Sequence, residues 1–166
     1  PTDASSPLNA LFVDHGWCGE DGITLVVNRD TTQHHAFGSD LVKTTQDKYQ
    51  ESLKLTLLES DPDVLETVFG ADSVVLGVDG GGSRTIAIAH SSTMLPRSAF
   101  VVDFIDGTKL RRIVIQEGAV VDLDDIKYVH SDLLSYAISI DAYKPASGNS
   151  EAVLEYITDT GHASGS

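Results

Sequence analysis

The sequence predicts a mainly β protein, an antiparallel β-sandwich or barrel carrying one short α-helix. Three observations lead there. Leu53, Leu55 and Leu57 alternate with Ser52, Lys54 and Thr56, and Leu134, Tyr136, Ile138, Ile140 and Ala142 alternate with Ser135, Ala137, Ser139 and Asp141. A period of two is the mark of a half-buried strand. Asp106-Gly107 lies between two apolar runs, Ala99–Ile105 and Lys109–Ile115, which is a strong hairpin signal. Helical spacing is confined to a few residues after Ser60.

Taken in order, residues 1–20 read as an N-terminal arm or loop, opening on the Pro-, Ser- and Asp-rich PTDASSPLNA. Gly22–Asp30 reads as a strand with Ile23, Leu25 and Val27 on one face. Thr31–Asp47 is polar and mixed, longer than an ordinary hairpin turn, and is expected to be a long hairpin loop. The Leu53–Leu57 strand follows and stops at Ser60. A helix over about residues 62–69 starts at once: Asp61 is the N-cap, Pro62 takes the first helical position, and Asp63 and Glu66 sit near the positive end of the dipole. Val64, Leu65, Val68 and Phe69 share one face, and Gly70 is a natural stop.

Val74–Val78 and Thr85–Ala89 are short apolar runs around Asp79-Gly80-Gly81-Gly82-Ser83. Ala119–Ile126 is a strand ending in acids. Ala152–Ile157 is a last strand or an arm, and Thr158–Ser166 is expected to fray.

With 166 residues, 41% of them hydrophobic, the chain can bury one sizeable core. Its 25 acids against 11 Lys and Arg give a net charge of −14. That excess opposes binding to nucleic acid, which needs clustered cations, and docking on anionic lipid. Cys18 is the only cysteine, so no intrachain disulfide forms, which suits assembly in a reducing cytosol. No apolar run approaches the ~20 residues of a membrane helix, and no secretory signal is visible.

Candidate chemistry is sparse. Leu76–Thr85, LGVDGGGSRT, resembles the first phosphate-binding hairpin of sugar kinases of the actin and hexokinase superfamily. An Asp for a metal and glycine N–H groups for phosphate make physical sense there. In that family the hairpin opens the chain and a second phosphate loop follows. Here 75 residues precede it and no second loop is found, so a hairpin tip is the simpler reading. Asp159-Thr160-Gly161 matches the aspartic-protease tripeptide but occurs once, and that chemistry needs a pair. His34 and His35 are adjacent and diverge. His15, His90, His130 and His162 show no i, i+4 pairing, and Cys18 has no CxxC partner, so neither metal nor cofactor is expected. No Gly-x-Ser-x-Gly elbow is present, and Asp122, Asp124 and Asp125 lack the glycine and distal Glu of a calcium loop. The five tyrosines do not interleave with a basic patch and read as core or interface residues. No enzymatic activity is expected.

Pro1 to about Tyr143 resembles the major tail tube proteins of siphophages infecting actinobacteria. The carrying segments are LNALFVDHGWCGEDGITL, YQESLKLTLLESDPDVLETVFG, RSAFVVDFIDGTKLRRIVIQEGAV and YAISIDAY, in that order. The Glu20-Asp21-Gly22 turn, Leu58-Glu59-Ser60, Phe69-Gly70, Asp106-Gly107 and Arg111-Arg112-Ile113 recur in the family pattern, which continues upstream of Pro1. The glycine run at 80–82 is richer than the pattern.

The resemblance implies one tail-tube β domain over residues 1–144, followed by a C-terminal arm and flexible tail over 145–166. It implies a structural virion protein whose six-membered rings stack into a hollow tube. The tube would surround a tape-measure protein, meet tail-terminator and tail-tip proteins, and pass double-stranded DNA without gripping it. Assembly would take place in the bacterial cytoplasm and the product would be the virion tail, with no membrane partner. A secretion-system tube would share the fold. Under this reading Asp30, Thr56, Asp103 and Asp141, on polar strand faces, are lumen candidates. Asp103 lies opposite Phe100, Val102 and Phe104, which are expected to face the core. His34, His35, Phe37 and Leu41 are candidates for contacts between rings. Lys109, Arg111 and Arg112 form the basic cluster, with Asp61, Asp63 and Glu66 on the helix as candidate partners in an adjacent subunit.

Overall fold

A computed structural model describes residues 1–130, 133–147, 151–159 and 161. The chain is mainly β, and every strand pair is antiparallel. The strands are β1 (Thr24–His35), β2 (Leu41–Leu57), β3 (Val74–Val78), β4 (Arg84–Ile88), β5 (Ser98–Asp106), β6 (Lys109–Leu123), β7 (Tyr136–Tyr143) and β8 (Val153–Asp159), with helix α1 at Pro62–Phe69. One sheet runs β1-β2-β7-β6-β5, with β8 also on β6, while β3 and β4 form a separate hairpin.

The alternation in β2 and β7 does what it predicts. Leu53 stands opposite Ile140, Leu55 opposite Ile138 and Leu57 opposite Tyr136, and directly opposed residues share a face. These residues join Val64, Leu65 and Val68 of α1, with Ile115 and Val120 of β6, in one buried cluster. Pro62 opens the helix and Gly70 ends it at φ +94°, its N–H bonded to the Glu66 carbonyl. Asp61 occupies the N-cap without a side-chain capping bond. The β5–β6 turn has Gly107 at φ +60°, the left-handed region that glycine enters without strain.

Two expectations are corrected. Thr31–Asp47 is not a long loop. β1 and β2 stay paired out to His35 and Leu41, with irregularities after Asp30 and His34, so the loop shrinks to Ala36–Asp40 and the segment becomes a β-ribbon. Its Thr-rich polar composition suits a strand exposed on both faces, which leaves no hydrophobic periodicity to read. The runs Lys109–Ile115 and Ala119–Ile126 are parts of one 15-residue strand, β6. It is irregular where Ser98 pairs Gly118 but Phe100 pairs Ile115. That extra residue is a bulge, and it reverses the face pattern, hiding the continuity from a period-two reading.

Val153–Asp159 is a true strand, adding to β6 beside Lys109–Ile115. Thr160 of the Asp-Thr-Gly tripeptide, His162 and most of the expected tail lie outside the described residues.

Candidate assembly surfaces

One face of the sheet is apolar and packs under α1; the other is polar along β1 and β2 but holds the buried Val114 and Ala119 of β6. On the polar face Ser52 opposes Asp141 and Thr56 opposes Ala137, while Asp30 opposes Lys48 further along β1 and β2. Gln50 Nε2 donates to Asp141 Oδ2 at 3.2 Å. In β5, Phe100 and Val102 pack against the core, so Asp103 between Val102 and Phe104 projects to the polar face too. Asp30, Thr56, Asp103 and Asp141 therefore share one face. It also carries Lys48 and Lys54, so it is mixed in charge rather than uniformly acidic.

Asp103 differs from the other three. Arg112 Nε donates to its Oδ1 at 2.7 Å and Nη2 to its Oδ2 at 2.8 Å. Arg112 Nη1 donates to the carbonyls of Asp3 and Ser6 at 3.2 and 2.7 Å. Only 4% of Arg112 is exposed. The bidentate bond to Asp103 holds the guanidinium pKa above its ordinary value, against the opposing effect of burial. Arg112 is thus not a surface cation facing the helix acids of a neighbour; its donors are engaged within its own chain. A close Arg-Arg sequence hides this, because adjacent strand residues point to opposite faces. Arg111, on the other face, is exposed and pairs with Glu155 at 3.3 Å. Lys109, Asp61 and Asp63 are exposed and Glu66 is half-buried.

The structure also assigns work to the N-terminal arm that composition did not signal. Ala4 is buried beside the Arg112 bonds. Asp3 accepts from the Ser5 and Ser6 backbone N–H groups, and these bonds with the Ser6 hydroxyl hold its carboxyl well below the usual range. His15 Nε2 lies 2.7 Å from Thr67 Oγ1 of α1. Gly19 N–H donates to the Thr56 carbonyl and Leu58 N–H to that of Trp17.

Every residue from 27 to 44 is exposed, although β1 and β2 stay paired up to the short loop at its end. Phe37 sits wholly in solvent and Leu41 is 54% exposed. His34 Nε2 contacts Thr45 Oγ1 and His35 Nδ1 contacts the Ser39 carbonyl, so both histidines brace the ribbon. At the other hairpin, Asp79 Oδ1 accepts the N–H groups of Gly81 and Ser83 at 2.9 and 2.8 Å, which lowers its pKa. The amides that a phosphate would need are bonded to Asp79 itself. Among the described residues no three His, Cys, Asp or Glu converge as a metal site.

A family described as phage tail tube protein matches residues 1–164. The chain belongs to that phage tail tube family. No curated protein matches it. A tail tube protein is a structural component of the virion tail and self-assembles into a tube with other tail proteins, and this sets what its exposed surfaces must do. No helix among the described residues is long and apolar enough to cross a membrane.

Proposed function

We propose that this tail tube protein forms stacked six-membered rings in the tail of a siphophage of actinobacteria, making a hollow tube that passes double-stranded DNA. The role is structural, without catalysis or cofactor. The observation that carries the reading is the ribbon of residues 27–44, whose two strands pair up to a short loop yet are exposed on every residue. A two-stranded ribbon is marginally stable alone, so a surface of another subunit must complete it. His34, His35, Phe37 and Leu41 at its end would meet the next ring.

The polar sheet face would line the lumen, with Asp30, Thr56 and Asp141 turned to the DNA. Like charge there leaves no counterion release to reward contact. Asp103 belongs to the same face, but its pairing with Arg112 cancels its charge. Lys109 and Arg111 would meet Asp61, Asp63 or Glu66 of an adjacent subunit. Tape-measure, tail-terminator and tail-tip proteins complete the tail, built in the bacterial cytoplasm.

Negative-stain electron microscopy of the purified protein, across concentration and salt, tests this. Rings or hollow tubes are expected. Chains that stay monomeric even with their tail-tip complex would overturn the reading. Replacing Asp141 by Lys should slow DNA ejection from intact virions, and unchanged ejection would remove that face from the lumen.

A further inference from the structure

Among the described residues, β5 is an edge of the large sheet, bonded to β6 on one side and to no strand on the other. A groove of about 850 Å³ runs along it. Phe100 and Val102 of β5, Leu55 of β2 and residues 8–16 are among the residues that line the groove. An open edge beside apolar side chains is a template for an added strand.

The chain holds a matching piece. Among the described residues the β3–β4 hairpin pairs with no other strand, and β4 is exposed at all five residues. Ile86 and Ile88 alternate along it, 38% and 36% exposed. Apolar side chains exposed on a two-stranded hairpin call for a cover.

We propose that β4 of one copy adds to the open edge of β5 in a second copy, placing Ile86 beside Val102 in the groove. This rests on the tube reading and names one of its joints. β1, the other edge of the sheet, fits the groove worse: beyond Val27 it offers only Asn28, Arg29, Asp30 and further polar residues to His35. β3 shares the hairpin's apolar character but carries no cation. β4 brings Arg84, which has no ion pair among the described residues, to a groove that Asp14, Asp63 and Glu66 also line. Because donor and acceptor patches differ, the contact is head-to-tail and propagates into a ring or filament.

The test is cross-linking in assembled full-length protein. Ile86→Cys and Val102→Cys are combined on a Cys18→Ser background, assembled, oxidised and run without reductant. A ladder of covalent multimers is expected, absent from either single cysteine. Tubes that give no ladder overturn the joint and leave the tube reading standing. A ladder from Val27→Cys with Val102→Cys instead would put β1 at that edge. Failure of the wild-type chain to form any ring or tube, even with its tail-tip complex, would overturn both. Ile86→Asp should raise the concentration needed for assembly at least tenfold, with the melting of the monomer little changed. Assembly at the wild-type concentration would contradict the proposal.

Discussion

Strand β2 is two different structures end to end. Its inner end, Leu53 to Leu57, pairs with β7 along its whole length and with β1 at Leu53 and Lys54, with Leu53 wholly buried and Leu57 at 3% exposure. Its outer end, Leu41 to Thr44, is paired to β1 through an irregularity next to His34 and is bare on both faces. Both ends are backbone-paired, but only the inner end is buried. The inner end owes its stability to its own chain, and the outer end draws little burial from that chain. Regions with few buried contacts open at the low end of the free-energy range, which suits a surface that orders on assembly.

The sharpest way to break this comparison is to truncate one leucine at each end. Leu53→Ala should cost about 3–4 kcal/mol, within the usual range for a buried leucine, and lower the melting temperature clearly. Leu41→Ala should change monomer stability by less than about 0.5 kcal/mol and yet impair polymerisation. Denaturant melts beside light scattering would show it. Equal stability losses at both positions would mean that the ribbon is already part of the folding unit.

The next effect concerns the polar face. Arg112 keeps its charge inside the sheet because Asp103 takes two of its donors. Losing one partner of a buried ion pair costs about 3–5 kcal/mol, but the 40% exposure of the Asp103 side chain admits water, so about 2–3 kcal/mol is expected for Asp103→Ala. Arg112→Met on that background should recover part of it. Asp103→Lys would disturb folding before it reported on a lumen, so the charge of that face is better probed at Asp30 or Asp141.

Smaller again is the effect at the bulge. A Cβ on Gly118 would meet Phe100 Cδ2 at 2.8 Å and Ile140 Cγ2 at 2.9 Å. Gly118→Ala should therefore cost about 1–2 kcal/mol through overpacking. A neutral result would mean that Phe100 can shift toward the open groove beside β5.

What the sequence disclosed follows from these same contrasts. Where one face is buried, as in β2 and β7, alternation marks the strand and its core face. The short helix is equally legible, because its cap, proline and glycine are local signals. The ribbon was missed as a strand because nothing in its own chain buries it. The unity of β6 was missed because one bulge shifts its alternation. The four polar-face residues were legible by alternation alone. The Arg112 site was not, since its partners Asp3 and Ser6 lie more than a hundred residues away and act through backbone carbonyls.

The smallest expected effect sits on the arm that those carbonyls belong to. Asp3 holds the Ser5 and Ser6 amides through its carboxylate, and its pKa lies well below the usual value near 3.8. A depressed carboxyl stabilises the fold above its unfolded pKa and loses that contribution as pH falls through the folded one. The arm should therefore stay closed over Arg112 at neutral pH and through pH 5. It should loosen only below about pH 4, where the unfolded carboxyl begins to protonate. In Asp3→Asn the Ser5 and Ser6 amides should exchange faster at pH 7, while those of β7 keep their protection. Unchanged exchange at Ser5 and Ser6 would show that the Arg112 bonds to the Asp3 and Ser6 carbonyls suffice to hold the arm, leaving the carboxylate to shape only the local turn.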